Sequence, residues 1–467
     1  MWVRREEGIV AERRVPTGRV SRGTRLGRLA AGQAARGVGT RLAMIGRTEQ
    51  ARSVLAQRSS LRAAQQIVTV LGGMKGAAMK LGQMVSVLDL DLIPEDYREM
   101  FRVKLAELLD SAPQVPFAEM KAVIEADLGR LGGVFADFDP EPVASASIGQ
   151  VYRARLHDGR LVAVKVKYPG VDKAVRADMR NLQFFSGLWK SFLPTAADTD
   201  VLDEIARNIT AELDYRREAR TQHRVADRYR GHPLITVPDS IGEFCTDNVL
   251  VTDFVEGRAF QQIRALPAAD RDRIGELVYR FYITGMFVDG EYCADPHPGN
   301  ILLAEDGRVG FVDFGLYNTI DRAHLELERQ VLCAAADFRA DEVYRLWTEH
   351  GIVDPRGAVS AQDCLEYVWS VTGWHLLDEE VTVTPEIATS AVVLATDPRA
   401  SEHHDVRHLL LPPQHVFSRR ADLFTLTALG QIEATSNWHR LAREWLYDEA
   451  PSTELGREIA AWRAAGR

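Results

Sequence analysis

The sequence predicts a mixed α+β fold in which a small β-rich lobe precedes a larger, largely helical lobe. Two alternating apolar runs flank His157-Asp158-Gly159, a pattern typical of a β-hairpin. A second pair of short apolar runs flanks the turn signal Asp306-Gly307. Apolar periodicity predicts helices from residue 320 onward. Four segments follow: a basic mobile arm (1–60), a helical extension (61–130), the β-rich lobe (131–257) and the helical lobe with its tail (258–467).

The composition is ordinary for a protein that buries a core, with 46% hydrophobic and 26% charged residues. Fourteen arginines and four glutamates give residues 1–62 a net charge of +10. Because the whole chain has a net charge of −9, the remainder carries −19. The four cysteines form no C-x-x-C pair, which argues against a zinc site and favours a reducing, cytoplasmic compartment. No apolar run reaches the roughly 18 residues of a membrane helix, so we expect membrane contact only at the surface.

The basic arm has two interpretations, a solvated leader without a binding role and an arm that binds through its charge. Residues 17–47 repeat Gly and Arg with little apolar periodicity, which is typical of a solvated or partly helical leader. An arm that contacts anionic lipid head groups is the alternative. No aromatic residues are interleaved for base stacking, so nucleic acid is not an expected partner.

The helical extension contains the motif Lys80-Leu81-Gly82-Gln83. Lys80 and Gln83 are three residues apart and therefore share one face of a helix, while Gly82 lets a backbone or a ligand approach closely. Taken alone, such a motif more often marks a solvated lysine beside a helix contact. Its interpretation therefore depends on the rest of the chain.

The first hairpin carries the predicted phosphate-binding features. Its second strand contains Val162-Ala163-Val164-Lys165, which matches the kinase V-A-I-K strand, so we predict Lys165 as phosphate ligand and catalytic residue. The preceding loop has alanines where a G-x-G-x-x-G loop has glycines. Small residues still let the backbone lie close to phosphates, but alanine rarely adopts positive φ, so the loop should be stiffer. The predicted nucleotide contacts here are Ala144, Ser145, Ala146, Ser147, Gln150 and Val151.

A helix glutamate should pair with Lys165 and orient it. The sequence predicts one long helix over residues 198–220, in which Glu204 and Glu212 are eight residues apart and lie roughly on one face. We place Glu212 in the functional set because of the cluster Glu212-Leu213-Asp214-Tyr215, and Glu204 is the alternative lysine partner.

The run from Val249 to Gly257 predicts a strand that leads into the second lobe. In a two-lobed kinase such a connector recognises adenine through its backbone amide and carbonyl groups. The predicted contacts are Asp253, Phe254 and Val255.

Residues 294–315 have the layout of a phosphoryl-transfer loop. Asp295 is the predicted carboxylate beside the attacking oxygen. Asn300 and Asp313, the latter in Asp-Phe-Gly, are the predicted ligands of Mg²⁺. Two short strands joined at Asp306-Gly307 would return Asp313 to the vicinity of Asn300.

Together these motifs closely resemble the UbiB (AarF, ADCK) family of atypical kinases over residues 61–320. The resemblance implies a protein-kinase-like fold, ATP and Mg²⁺ as cofactors, and ATPase activity that supports ubiquinone or other isoprenoid lipid metabolism. It also implies that the K-x-G-Q segment folds over the active site, with Lys80 and Gln83 near the nucleotide and Glu212 or Asp214 in contact with them. Cys293 departs from the family, which commonly has His there, and we expect no C-terminal membrane span.

The partners that the resemblance implies are ATP and either an anionic membrane surface or the proteins of isoprenoid and quinone biosynthesis, with a homodimer left open. The expected location is cytoplasmic and peripheral to a membrane. Two other functions remain open. Small-molecule phosphotransferases resembling aminoglycoside or choline kinases share the D-x-x-x-x-N layout but lack K-x-G-Q. A non-catalytic nucleotide-binding scaffold is disfavoured, because all six motifs retain chemically competent residues.

Overall fold

The structure of the protein is a computed structural model, and it describes residues 115–184, 207, 210–293, 296–396, 409 and 413–466. Several predictions fall outside the described residues: the basic arm, residues 61–114 of the extension with Lys80 and Gln83, Glu204, and Asp295.

A four-stranded antiparallel sheet forms the first part of the described chain, in the order β1 (Phe135–Ala146), β2 (Gly149–Leu156), β3 (Leu161–Lys167) and β5 (Val249–Asp253). The predicted hairpin is confirmed, because β2 and β3 pair with Lys165 opposite Val151. Residues 162, 164 and 166 of β3 are valines with no exposed surface, and alternation places Lys165 on the other face. The short strand β4 (Ile235–Thr236) lies elsewhere.

Three helices and a short helical turn accompany this sheet. They are α1 (Phe117–Leu128), α2 (Leu131–Val134), α3 (Val171–Phe184) and α4 (Tyr215–Arg228). Met120 and Ile124 of α1 are fully buried in one hydrophobic cluster with the valines of β3. This cluster fixes one face of the sheet and leaves the Lys165 face for the site.

The predicted continuous helix over residues 198–220 is wrong at residues 212–214, which leave helical geometry. Asp214 caps the new helix α4 by accepting a 2.8 Å hydrogen bond from the backbone N–H of Arg217. Carboxylates are favoured at this position because the first N–H groups of a helix have no partner within it. The Glu212-Leu213-Asp214 cluster is therefore a helix break.

A second four-stranded sheet has the order β4, β9 (Val309–Phe311), β8 (Ile301–Ala304) and β6 (Gly257–Ala259). Residues 254–256 lead from β5 of the first sheet into β6 of the second. The predicted hairpin between Asn300 and Asp313 is confirmed as β8 and β9, turning through Gly307 at φ +83°. A two-stranded antiparallel ribbon, here called the β7–β10 ribbon, joins β7 (Glu291–Cys293) to β10 (Tyr317–Thr319).

The remaining described chain is largely helical, as predicted, and packs in a second hydrophobic cluster that includes the fully buried Trp438. A π-helical turn, Arg280–Thr284, directly follows the helix α6 (Ala268–Tyr279). No helix among the described residues combines the length and the hydropathy that a membrane span requires. The helices are α5 (Phe260–Ile263), α6 (Ala268–Tyr279), α7 (Gly285–Asp289), α8 (Arg322–Ala336), α9 (Ala340–Glu349), α10 (Ala361–Thr372), α11 (Pro385–Thr396), α12 (Pro413–Ile432), α13 (Trp438–Leu446) and α14 (Glu454–Ala464), and the last strands are β11 (Val381–Thr382) and β12 (Thr435–Ser436).

Candidate functional site

Lys165 lies between two carboxylates that come from distant parts of the chain. Its Nζ donates to Glu218 Oε1 at 2.7 Å and to Asp313 Oδ2 at 3.4 Å. Lys165 is on β3, Glu218 is in the first turn of α4, and Asp313 follows β9 by two residues. The first sheet, a helix and the second sheet therefore meet at one ammonium group.

Glu218 is the lysine partner that the sequence analysis missed. The described partner of Glu212 is instead Ser147, whose Oγ donates to Glu212 Oε2 at 3.3 Å. Because the helix breaks at residues 212–214, the regular helix begins at Tyr215 and brings Glu218 to β3. The structure thus shows Glu218, which the sequence analysis did not name, as the helix carboxylate bonded to Lys165. A local signal for it existed, since an Asp at position 214 is a favoured helix cap.

Burial and mutual charge determine the protonation of this cluster. The Glu218 side chain is only 2% exposed, and burial raises its pKa to about 7 against the pull of Lys165. Burial alone would lower the pKa of Lys165, but the carboxylates of Asp313 and Glu218 outweigh it and raise that pKa well above its usual range. With both carboxylates ionised the cluster carries one excess negative charge, which favours a cation nearby.

A buried aromatic ring supports two lysines of β3. Tyr215 has no exposed surface, and its ring centroid lies 5.3 Å from Lys165 Nζ and 5.1 Å from Lys167 Nζ. Lys167 is itself buried and donates to the carbonyl oxygen of Leu213 and to Asp172 Oδ1. Lys167 therefore has a structural role, while Lys165 is the lysine beside the carboxylate pair.

The alanine-rich segment is the end of a hairpin and not an open loop. Ala144, Ser145 and Ala146 are the last residues of β1 and pair with β2, and the turn is Ser147-Ile148. Gly149, which follows the turn as the first residue of β2, packs closely on the backbone of β3, because a Cβ added there would lie 2.1 Å from the carbonyl oxygen of Val166.

Strand alternation separates two of the predicted nucleotide contacts. Val151 pairs with Lys165 across the hairpin, so both side chains share one face of the sheet. Gln150 faces the other way, is 2% exposed, and accepts a 3.0 Å hydrogen bond from the hydroxyl of Tyr152. The side chain of Gln150, a predicted nucleotide contact, therefore lies on the face of the sheet opposite to Lys165.

The connector between the sheets has part of its backbone already bonded. The N–H of Asp253 donates to the Asp239 carbonyl at 2.9 Å, and the N–H of Phe254 donates to the Leu161 carbonyl at 3.1 Å. Burial raises the pKa of Asp253, whose carboxylate also accepts the N–H of Asp239 at 3.3 Å. Of the three predicted adenine contacts, Asp253 and Phe254 cannot offer those N–H groups without breaking existing bonds.

Asn300 and Asp313 are brought together as predicted. The Val312 N–H donates to the Asn300 carbonyl at 3.2 Å. Asp313, the next residue, therefore lies beside Asn300 at the open end of the hairpin. Asp313 Oδ1 accepts the Gly315 N–H at 3.0 Å, and the side chain is 37% exposed. Within the described ranges no three His, Cys, Asp or Glu side chains are grouped to hold a metal ion, and Asp295 is outside those ranges. Amide and carboxylate oxygens are nevertheless the donors that Mg²⁺ prefers, so this pair fits the ion.

Known proteins include relatives that are similar to this chain in sequence and one solved structure that is similar in fold. The chain is 31% identical over 293 residues to the chloroplastic protein ACTIVITY OF BC1 COMPLEX KINASE 8 of Arabidopsis thaliana, covering 61% of this chain and 38% of that protein. It is 33% identical over 271 residues to AarF domain-containing protein kinase 1 of Mus musculus, covering 56% of this chain and 50% of that protein. The chain thus matches half or less of the length of these curated relatives.

A solved structure, the complex of Rv3197 with erythromycin from Mycobacterium tuberculosis, is similar at a TM-score of 0.60 and 31% identity. The similarity covers 82% of this chain and 95% of that chain. The family model of the ABC1 atypical kinase-like domain matches residues 107–346, which is just over half of the sequence. The chain therefore belongs to the ABC1 atypical kinase-like family.

Proposed function

We propose that this protein is a Mg²⁺-dependent ATPase or phosphotransferase of the UbiB type, with a two-lobed, kinase-like site between the first sheet and the β8–β9 hairpin. The observation that carries the proposal is the position of Lys165 between Glu218 and Asp313, at 2.7 and 3.4 Å. A partly buried lysine held by a helix carboxylate and facing a second, partly exposed carboxylate is the arrangement that phosphoryl transfer requires.

Each described residue of the site has a proposed task. Glu218 fixes the Lys165 ammonium so that it is presented to the nucleotide phosphates, and Val151 lies on the same face beside it. Asn300 and Asp313 hold Mg²⁺, which when bound neutralises phosphate charge. Asp295 remains the proposed catalytic carboxylate. Val255 is the connector residue proposed to recognise adenine, since the N–H groups of its two predecessors are already bonded.

The K-x-G-Q segment is proposed to lie over this site, with Lys80 and Gln83 near the nucleotide. Of the two partners predicted for Lys80, Glu212 is the better one. Asp214 already uses Oδ1 to cap helix α4, whereas Glu212 is 8% exposed and is bonded to Ser147 in the turn of the alanine-rich hairpin. An ammonium group at Glu212 would thus stand at the hairpin tip that borders the nucleotide.

The biological role that we propose is support of isoprenoid quinone or other polyprenoid lipid biosynthesis at a membrane surface. Family membership and the resemblance of the motifs support the metabolic role. The +10 charge of residues 1–62 supports surface contact with anionic lipid, because arginine is attracted to such head groups. Peripheral attachment through the arm is therefore part of the proposal.

The proposal is tested on the full chain with Asp313→Asn and the matched control Asp306→Asn. Asp306 lies on the turn of the same hairpin and pairs locally with Arg308. We expect Asp313→Asn to abolish phosphate release from Mg·ATP and to weaken Mg·nucleotide binding measured by calorimetry, and Asp306→Asn to match the parent. Parental turnover by Asp313→Asn would refute the assignment, while a parent that binds Mg·ATP without turnover would establish a scaffold instead.

A further inference from the structure

Helix α4 presents a stripe of three arginines on a side that differs from that of Glu218. Arg217, Arg224 and Arg228 are separated by seven and four residues, so at 100° per residue they project within about 40° of one another. Glu218 projects about 100° away from Arg217. One helix therefore contacts Lys165 with one side and the arginine acceptors with another.

The first arginine of the stripe contacts the strand that follows Asp-Phe-Gly. The Arg217 guanidinium donates to the Tyr317 carbonyl at 3.2 Å and to Asn318 Oδ1 at 3.0 Å. Both acceptors belong to β10, which begins two residues after Gly315.

The other two arginines share one carboxylate on the strand that precedes the predicted catalytic loop. Arg224 and Arg228 each lie 2.7 Å from Glu291, one on each carboxylate oxygen, and Arg228 is also 3.5 Å from Asp289. The Glu291 side chain is only 9% exposed. The Arg228–Glu291 pair is therefore screened less by solvent than a surface ion pair, whereas the Arg224 side chain is 50% exposed. Burial alone would lower the pKa of Arg228, but the carboxylates of Asp289 and Glu291 outweigh this effect and raise the pKa, so the guanidinium stays charged.

All of these acceptors lie on the β7–β10 ribbon or at its entrance. The ribbon pairs Cys293 with Tyr317 and Glu291 with Thr319. One of its strands leads directly to residue 294 and the other leads out of Asp-Phe-Gly. The arginine stripe thus ties the helix that orients Lys165 to both chain segments that are predicted to carry the reacting carboxylates.

We infer that Arg217, Arg224 and Arg228 are positioning residues that hold Glu218 against Lys165 by anchoring helix α4 to the β7–β10 ribbon. Arg217 anchors it through Tyr317 and Asn318, and Arg224 and Arg228 anchor it through Glu291. The inference rests on the proposed function, because Glu218 matters only if Lys165 acts on a nucleotide. It goes beyond that function, because it states that the ion pairs affect turnover through Glu218 and not merely the stability of the fold.

A double-mutant cycle tests the inference with Glu291→Gln, which keeps the side-chain volume but removes the charge that two arginines share. We expect Glu291→Gln to lower kcat for Mg·ATP hydrolysis about tenfold, and to lower it far less when Glu218→Gln is already present. Arg216→Gln is the control, since Arg216 is on the same helix but pairs with Asp247 outside the ribbon, and it should retain the parental kcat. A parental kcat for Glu291→Gln, or the same fold-loss in both backgrounds, would overturn the inference.

Hydrogen exchange supplies a measurement that does not depend on activity. Glu291→Gln should accelerate exchange in peptides covering 215–228 and 315–319 together, and leave the β2–β3 hairpin at the parental rate. If the parent neither binds nor hydrolyses Mg·ATP, the proposed function fails, but the exchange measurement still decides whether the ribbon anchors the helix. Unchanged exchange in helix α4 would overturn the anchoring itself.

Discussion

Glu218→Gln should lower activity while raising stability at alkaline pH. The Glu218 carboxylate is 2% exposed and its pKa is raised by burial to about 7, from 4.5. A carboxyl with a higher pKa in the folded protein stabilises the fold only while it is protonated, so this stability is full below pH 4.5 and is lost as the pH rises through 7. Converted at 2.303RT, the ionised carboxylate costs of the order of 3 kcal/mol above pH 7. Gln carries no charge and avoids this cost.

The activity should move in the opposite direction. The 2.7 Å bond from Lys165 to Glu218 is a partly buried, charged hydrogen bond, and without it the Asp313 carboxylate at 3.4 Å would be the remaining described partner of Lys165. Loss of such a bond is worth about 1.5–3 kcal/mol, so kcat/KM for Mg·ATP should fall by roughly ten- to a hundredfold. A functional group held at a cost in stability is a common trade-off in active sites.

Urea denaturation from pH 4.5 to 8.5 and steady-state phosphate release are the assays. The free energy of unfolding of Glu218→Gln should match the parent near pH 4.5 and exceed it increasingly up to pH 8. Glu305→Gln, an exposed residue in the β8–β9 turn, is the control and should follow the parent throughout. If Glu218→Gln and the parent showed the same pH dependence of unfolding, the buried ionised carboxylate would be refuted.

Three further predictions concern the hairpin, the arm and the extension. Gly149→Ala should destabilise the protein by about 1–3 kcal/mol or more in urea denaturation, because the new Cβ would lie 2.1 Å from the Val166 carbonyl oxygen, whereas Gly133→Ala meets no described atom within 4 Å and should be tolerated. Deletion of residues 1–50 should weaken salt-sensitive binding to anionic vesicles, and unchanged binding would assign membrane contact to the rest of the chain. Lys80→Ala should change ATPase rate or nucleotide affinity while Lys75→Ala does not, and a Lys80→Ala variant equal to the parent would reduce the motif to a helix contact.

The parts of the site that were predictable from the sequence depend on local patterns. Alternating runs around Asp158-Gly159 and Asp306-Gly307 predicted both hairpins, because strand alternation and turn residues act over a few positions. The second hairpin then placed Asp313 beside Asn300. Local patterns also indicated the face on which Gln150 lies, since neighbours in a strand face opposite sides and Gln150 and Val151 cannot both face Lys165.

The lysine partner could not be predicted in the same way. Lys165 and Glu218 are 53 residues apart in the chain, and Lys165 and Asp313 are 148 apart. Periodicity over residues 198–220 indicates a helix but does not show where it breaks, and the break at Asp214 decides which glutamate reaches β3. The Asp214 cap was a local signal, but whether the helix breaks there also depended on the packing of Tyr215 against β3.

Aromatic packing in the core explains why Asp313 stays within reach of Lys165. Phe311, the last residue of β9, stacks on Phe281 of the π-helical turn with ring centroids 3.7 Å apart and planes 5° apart. Both rings are at most 3% exposed, so this buried contact with the helical part of the chain fixes the end of β9. No periodic pattern in the sequence identifies this pair, because the π-turn shifts the helix register by one residue at Arg280–Thr284. The carboxylate of the Asp-Phe-Gly segment is therefore positioned by the β8–β9 hairpin, which the sequence reveals, and by a register shift in the core, which it does not.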